Sequence, residues 1–178
     1  PHELTDWLNE DNILKEAETW LRKLSEEDQK LNSITFSGYG EPTLHPRLTK
    51  VVQGVKKLRD EYYPRTQVVI LTNSSCMPYK GVFEALREFD SVVAKLDAGN
   101  QKTFEAINRP AKGVPLLEDI VEGLIKLQDE MRGVTLQTLI FKSTDPNTRD
   151  NSSTDSIKLI AEKANLIDPI EIQIYTVS

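Results

Sequence analysis

The residues Ser37 to Thr43 are of types that could hold a small charged ligand. The run reads Ser-Gly-Tyr-Gly-Glu-Pro-Thr and follows directly on the apolar segment 31–36. Glycine lets a ligand approach the main chain closely, and Pro42 fixes φ and stops a strand from continuing. The turn predicts a corner that presents backbone groups and the Glu41 carboxylate to a ligand with a cationic group. An ordinary surface turn is the alternative.

Further polar side chains lie at or near the ends of other apolar segments. They are Asn73, Lys95, Asp97 and Gln137. Barrel enzymes hold their ligands at the carboxyl ends of parallel strands, so these residues are candidate ligand-binding groups. Each has a structural alternative: Lys95 and Asp97 can form a buried ion pair, Asn73 can be a turn residue, and Gln137 can fill the interior.

The hydrophobic pattern that must position these residues predicts alternating helices and strands. Apolar spacings of three and four predict helices over 11–30 (with Ile13, Leu14, Ala17, Trp20, Leu21 and Leu24 on one face), 47–60, 80–89, 101–107, 116–131 and 154–164. Short apolar runs predict buried parallel strands over 33–38, 67–73, 91–97, 134–141 and 170–177. The polar stretch 142–153 predicts a mobile loop.

Strict β-α alternation predicts parallel strands joined by right-handed crossovers, in either a doubly wound sheet or a (β/α) barrel. Successive side chains of a strand point to opposite faces. In segment 92–97, one face is Val92, Ala94 and Leu96, and the other is Val93, Lys95 and Asp97. One apolar face and one increasingly polar face favour an α/β fold of the partial (β/α) barrel type, with about five parallel strands and the helices outside.

Composition restricts the class of protein and its partners. The 178 residues carry a net charge of −6, which disfavours a broad nucleic-acid surface but allows a local basic patch. No segment approaches the roughly 20 apolar residues of a membrane span. The single cysteine, Cys76, cannot form an internal disulfide and indicates a cytoplasmic location.

The roles of Cys76 and His45 are not assigned by the sequence. A catalytic thiol needs a base, and the chain has two histidines, His2 and His45. An inert loop cysteine is the favoured interpretation of Cys76. One cysteine and two histidines also predict no dedicated metal site.

The ordered motifs resemble those of the radical S-adenosylmethionine (radical SAM) superfamily. The matching residues are the Ser37-Gly-Tyr-Gly-Glu-Pro-Thr-Leu44 turn, Leu71-Thr-Asn73, Lys95-Leu-Asp97-Ala98 and Ile107-Asn-Arg-Pro110. The chain looks closest to the iron–sulfur oxidoreductase branch related to wybutosine-synthesis enzymes. The similarity runs from about residue 33 to residue 178.

The resemblance implies a S-adenosylmethionine site and a role for each matching residue. The turn residues Gly38, Gly40, Glu41 and Pro42 would hold the methionine end of the cofactor. The strand-end residues Asn73, Lys95 and Asp97 would face its sulfonium, carboxylate or ribose. Gln137 would lie on the next strand, and the 173–175 end would approach the adenine.

The resemblance also implies radical chemistry that this chain cannot perform alone. In the family a reduced [4Fe–4S] cluster, supplied with electrons by a donor such as flavodoxin or ferredoxin, yields a 5′-deoxyadenosyl radical that abstracts hydrogen from a substrate. The cluster is held by a three-cysteine loop, whereas this chain has Cys76 alone. We therefore expect residues 1–178 to be one inactive partial barrel, with the first strand, the cluster loop and a C-terminal part outside it.

Two other functions remain open at this point. Lys95, on a strand end beside a carboxylate, could form a Schiff base with a carbonyl substrate. The chain could also be a ligand-binding barrel without catalysis. The substrate and the oligomeric state are not readable from the sequence.

Overall fold

The protein is an α/β fold, and its described residues form five parallel strands in one sheet and six α-helices. The structure is a computed structural model that describes residues 8–38, 40–144 and 149–176. In chain order the elements are α1 (Glu10–Glu26), β1 (Ser33–Phe36), a 3₁₀ turn (Pro42–Leu44), α2 (Leu48–Tyr62), β2 (Gln67–Thr72), α3 (Lys80–Leu86), β3 (Ser91–Lys95), α4 (Gln101–Asn108), α5 (Leu117–Met131), β4 (Val134–Leu139), α6 (Thr154–Ile167) and β5 (Glu171–Tyr175).

The order of the strands distinguishes a barrel-type sheet from a doubly wound one. The spatial order is β1-β2-β3-β4-β5, identical to the chain order, and every neighbouring pair is parallel. A doubly wound sheet reverses its strand order at a switch point. Successive right-handed crossovers in one direction instead place the connecting helices on one face, so the predicted partial barrel is confirmed.

The hydrophobic core lies between this helix layer and one face of the sheet. Val68, Ile70, Val92, Ala94 and Leu136 of the central strands are all buried. The helices contribute a further buried set to the same cluster, namely Val52, Val55, Phe83, Leu86, Leu117, Ile120, Leu124, Leu127 and Ile167. Their burial holds the sheet rigid and leaves its opposite, more polar face available for a site.

The apolar side chains that lie outside this core include one of α1 and two of β5, contrary to the helix and strand patterns. Trp20 is 57% exposed on α1, although its spacing places it beside the buried Leu21. On β5, Ile172 and Ile174 pair in register with Leu136 and Thr138 of β4, yet both isoleucines are exposed. Periodicity found the apolar side of β5 correctly, but none of the described helices covers that side.

Helix α1 is attached to the start of α2 by a buried carboxylate. Glu10, the first residue of α1, forms ion pairs with Arg47 and with Lys50, whose Nζ lies 2.9 Å from Glu10 Oε1. Hydrogen bonds from Lys50, from its own backbone and from Arg47 lower the pKa of Glu10 to about 2. His45 adds a 3.1 Å contact from Nε2 to the carbonyl of Leu8, so the amino end of α1 is fixed beside the 3₁₀ turn.

The segment after β4 is anchored where the sequence predicted a mobile loop. The Asn151 side chain is fully buried, its Nδ2 donates to the carbonyls of Asp97 and Leu139, and its Oδ1 accepts from the Phe141 amide. The prediction for residues 145–148 lies outside the described residues. Within the described ranges, no helix is both long and apolar enough to cross a membrane.

Candidate ligand-binding site

A cavity of about 250 Å³ lies at the carboxyl ends of the first four strands. It collects residues that are far apart in sequence, because consecutive parallel strands end at the same edge of the sheet. Its lining contains seven of the eight residues that the sequence singled out, namely Gly38, Gly40, Glu41, Pro42, Asn73, Lys95 and Gln137, together with Ser37, Leu71, Thr72 and Val93. The eighth, Asp97, lies behind Lys95.

The glycine turn forms one wall of the cavity. Gly40 has a φ of +105°, a backbone conformation that residues with a Cβ avoid. A Cβ built on Gly38 would meet no atom within 4 Å, so open space lies directly beside this backbone. The turn therefore exposes main-chain groups to the cavity, as its glycine content predicted.

The carboxylate of Glu41 joins the turn to the end of β2. Its Oε1 accepts hydrogen bonds from the Thr43 amide (3.1 Å), the Thr43 hydroxyl (2.7 Å) and the Thr72 hydroxyl (2.7 Å). Its Oε2 accepts from the Asn73 amide at 2.7 Å. Glu41 is 8% exposed, so the surface-turn alternative is wrong. Each carboxylate oxygen offers about two acceptor positions. Oε1 is fully used by its three donors, whereas Oε2 accepts one hydrogen bond and retains a position for a further donor.

The residues after β2 shape the next part of the wall. The Asn73 side chain is exposed and accepts a 2.9 Å hydrogen bond from the Ser75 amide, so its role as a turn residue is real. Ser74 has a φ of +65° and donates from Oγ to the Lys95 carbonyl. The sequence analysis did not single out Ser74, although its hydroxyl links the ends of β2 and β3.

Lys95 places a positive charge in the cavity. Its Nζ lies 3.4 Å from Asp97 Oδ2 and 5.7 Å from the centre of the Tyr175 ring, and its side chain is one-third exposed. Burial lowers the pKa of Lys95, but the Tyr175 side chain and the Asp97 carboxylate raise it, and the net shift is upward. An amine with a raised pKa is protonated at neutral pH, which disfavours a nucleophilic lysine.

Asp97 is buried and bonded within the protein. Its Oδ1 accepts from the Leu139 amide at 2.8 Å, and its Oδ2 accepts from Asn108 Nδ2 at 3.5 Å. Its backbone carbonyl accepts from the Asn151 side chain. The ion pair with Lys95, which the sequence left open as the structural alternative, is present, and Asp97 positions Lys95 while connecting the ends of β3, β4 and α4.

Glutamines continue the polar face across the next two strands. Gln137 pairs in register with both Lys95 and Gln173, and its Nε2 lies 3.3 Å from Gln173 Oε1. Because Tyr175 also reaches Lys95, the end of β5 belongs to the same polar surface. This surface offers amide groups and one ring beside the charged centre.

The residues of this chain do not fit an iron–sulfur cluster. Cys76 is buried and its Sγ lies 3.7 Å from Ser75 Oγ. The described residues contain no group of three or more histidine, cysteine, aspartate or glutamate side chains that could hold a metal ion. A cluster would therefore need ligands from outside this part of the chain.

Comparison with known proteins identifies relatives of this chain. A family model described as the radical SAM superfamily matches residues 5–152. The chain is 30% identical over 174 residues to a protein named GTPase Obg from Brachyspira hyodysenteriae, covering 97% of this chain and 23% of that protein. It is 32% identical over 146 residues to a UPF0026 protein from Synechocystis sp., covering 82% and 50%.

The chain therefore spans half or less of the length of these two relatives. Among solved structures, a radical SAM methyltransferase from Sphaerobacter thermophilus matches with a TM-score of 0.59 and 14% identity. The match covers 97% of this chain and 59% of that chain. At this level of identity the likeness shows the fold alone, and the fold agrees with the partial barrel described above.

Proposed function

Because the chain belongs to the radical SAM superfamily, we propose that the strand-end cavity binds S-adenosylmethionine. The observation that carries the proposal is the pairing of opposite charges in one cavity, Glu41 on the glycine turn and Lys95 on β3. The methionine end of S-adenosylmethionine is a zwitterion with an additional sulfonium charge. The free acceptor position of Glu41 Oε2 and the exposed glycine backbone suit its ammonium group.

The remaining groups have roles that follow from their positions. Lys95 is cationic and faces the cavity, so we assign it to the carboxylate of the ligand, with Asp97 positioning it from behind. Asn73 and Gln137 supply amide groups to the ribose or the sulfonium side. The Gln173 and Tyr175 side chains, at the end of β5, are assigned to the adenine.

For the longer protein we propose a radical SAM oxidoreductase acting on a substrate still to be identified. Its [4Fe–4S] cluster would be held by residues outside this chain and reduced by a donor such as flavodoxin or ferredoxin. This chain alone would bind the cofactor and be inactive. A cytoplasmic location is part of the proposal and rests on the lone cysteine. The wybutosine-related branch stays a prediction.

Binding of S-adenosylhomocysteine, measured by isothermal titration calorimetry, tests the proposal on this chain. Lys95→Gln should weaken binding by about 10- to 100-fold, the usual worth of a hydrogen bond to a charged group. Lys57→Gln, on the exposed face of α2, is the matched control and should leave the affinity unchanged. No saturable binding by the unmodified chain, or equal losses in both variants, would refute the proposal.

The Schiff-base alternative makes a different prediction for the same residue. It requires a covalent adduct on Lys95 after borohydride treatment with a small aldehyde or ketone, detectable by peptide mass spectrometry. The protonated, ion-paired amine argues against such an adduct. A trapped Lys95 that is absent in Lys95→Gln would favour the alternative over S-adenosylmethionine binding.

A further inference from the structure

The loop between α4 and α5, residues 109–116, carries positive charge directly after Asn108, the last residue of α4. It contains Arg109 and Lys112 and no acidic residue, and both side chains are exposed. Within the described residues neither has an ion-pair partner. The carboxylates that follow are engaged, since Glu118 binds Lys163 at 2.7 Å and Asp119 accepts from the Leu116 amide.

Arg109 has an unusual backbone conformation at this point. It ends α4 with φ 45° and ψ 58°, in the left-handed region, and it precedes Pro110, which restricts it further. Arg132 and Asp168 also end helices in this region, but their amides donate to the preceding helical turn. No such bond is present for the Arg109 amide among the described residues. Uncompensated strain of this kind is typical of functional positions.

The contacts of the loop hold it in place beside the proposed cofactor site. Asn108 donates to Asp97, whose carboxylate lies 3.4 Å from the cavity residue Lys95. At the other end, the Tyr79 hydroxyl donates to the Gly113 carbonyl at 2.9 Å. Arg109 therefore directly follows Asn108, which is linked through Asp97 to the cavity residue Lys95. The loop is also held by the contact of Gly113 with Tyr79.

We propose that the 109–116 loop binds an oxyanion, a phosphate or carboxylate group, of the substrate that reacts beside the cavity. The inference depends on the proposed function only where it calls the ligand a substrate. The anion site itself is independent of that function. A guanidinium presents paired donors that match such groups geometrically. Lys112 adds a second charge, so the loop supplies a local basic patch on a chain that is acidic overall.

The test is an NMR titration of the labelled chain with inorganic pyrophosphate, and separately with citrate at the same ionic strength. We expect saturable shifts of the Arg109 side-chain Nε–Hε and Gly113 amide signals. Arg109→Gln should weaken the apparent affinity by about tenfold or more, as expected for a charge-assisted pair. Lys57→Gln should not change it. The more tightly bound probe identifies phosphate or carboxylate as the preferred group.

Three results would overturn the proposal: no saturable change at Arg109, equal weakening by Arg109→Gln and Lys57→Gln, or a parallel loss of S-adenosylhomocysteine affinity in Arg109→Gln. The last would place Arg109 in the cofactor site. If pyrophosphate or citrate binds at Arg109 while S-adenosylhomocysteine fails to bind the unmodified chain, the proposed function fails and the anion site stands. The two failures are therefore distinguishable.

Discussion

The substitution Glu41→Gln tests whether the carboxylate of Glu41 holds the glycine turn against the end of β2. The carboxylate accepts four hydrogen bonds, three on Oε1 and one on Oε2. A glutamine that keeps its oxygen toward Thr43 and Thr72 places its NH₂ group against the Asn73 amide, so two donors face each other. The opposite amide orientation leaves the Thr43 amide facing the NH₂ group, because the two threonine hydroxyls can turn to accept but a backbone amide cannot.

The cost follows from the donor that is left unpaired. A buried donor without a partner costs about 1–3 kcal/mol, so we expect Glu41→Gln to lower the free energy of unfolding by about 2 kcal/mol. For a domain of this size that corresponds to a fall in Tm of about 4–8 °C. Urea denaturation at pH 7 measures the free energy, and amide hydrogen exchange of Asn73 and Thr43 locates the change.

Glu61→Gln is the matched control, because Glu61 is exposed on α2 and surface substitutions usually stay within about 0.5 kcal/mol. We expect the loss of stability to be specific to Glu41→Gln, and hydrogen exchange of the Asn73 amide to accelerate in that variant. Equal stabilities of the two variants, with unchanged exchange at Asn73, would show that the carboxylate does not hold the turn.

Three further substitutions test the packing that supports the site. Because the folded-state pKa of Glu10 is about 2 and its ordinary value is 4.5, its stabilisation is present above about pH 4.5 and lost as the pH falls towards 2; Glu10→Gln should therefore flatten the dependence of Tm on pH in that window. Gly99→Ala should destabilise the fold by about 3 kcal/mol or more, since its Cβ would lie 2.2 Å from backbone of α6, whereas Gly81→Ala, with no atom within 4 Å, should be neutral or stabilising in thermal denaturation. Asn151→Ala should cost about 2–4 kcal/mol in urea denaturation by leaving buried backbone groups unpaired, and the exposed Asn165→Ala should cost little; equal midpoints for these two variants would contradict the assigned role of Asn151.

Local patterns were sufficient to predict the fold. The helices and strands lie where apolar periodicity placed them, with shifts of a few residues at their ends, as in α6, which continues to Ile167. The glycine–proline turn indicated a strand end because its backbone requirements are local. The polar strand ends then converged on one cavity because a parallel sheet brings such ends together.

Features that depend on tertiary contacts could not be predicted in the same way. The spacing of Trp20 fits the apolar face of α1, but α1 packs on α2 and the indole remains more than half exposed. Asn151 looked like any polar loop residue, and its burial follows from two strand ends that need donors. The sequence around a polar loop residue does not indicate whether tertiary contacts will bury it.

Glu41 and Lys95 have different roles in the cavity: Glu41 is bonded mainly within the protein, and Lys95 is partly exposed to the cavity. Glu41 is almost fully bonded inside the protein, so its main effect is to fix the glycine backbone in place, with one acceptor position left for a ligand. Lys95 is balanced by Asp97 from behind and remains one-third exposed, so its charge faces the cavity. A ligand with both an ammonium and a carboxylate group therefore meets a preorganised backbone on one side and a positioned cation on the other. Because preorganised groups need no rearrangement on binding, substitution of Asp97, which lies behind Lys95 and does not line the cavity, should weaken ligand binding without removing a ligand contact.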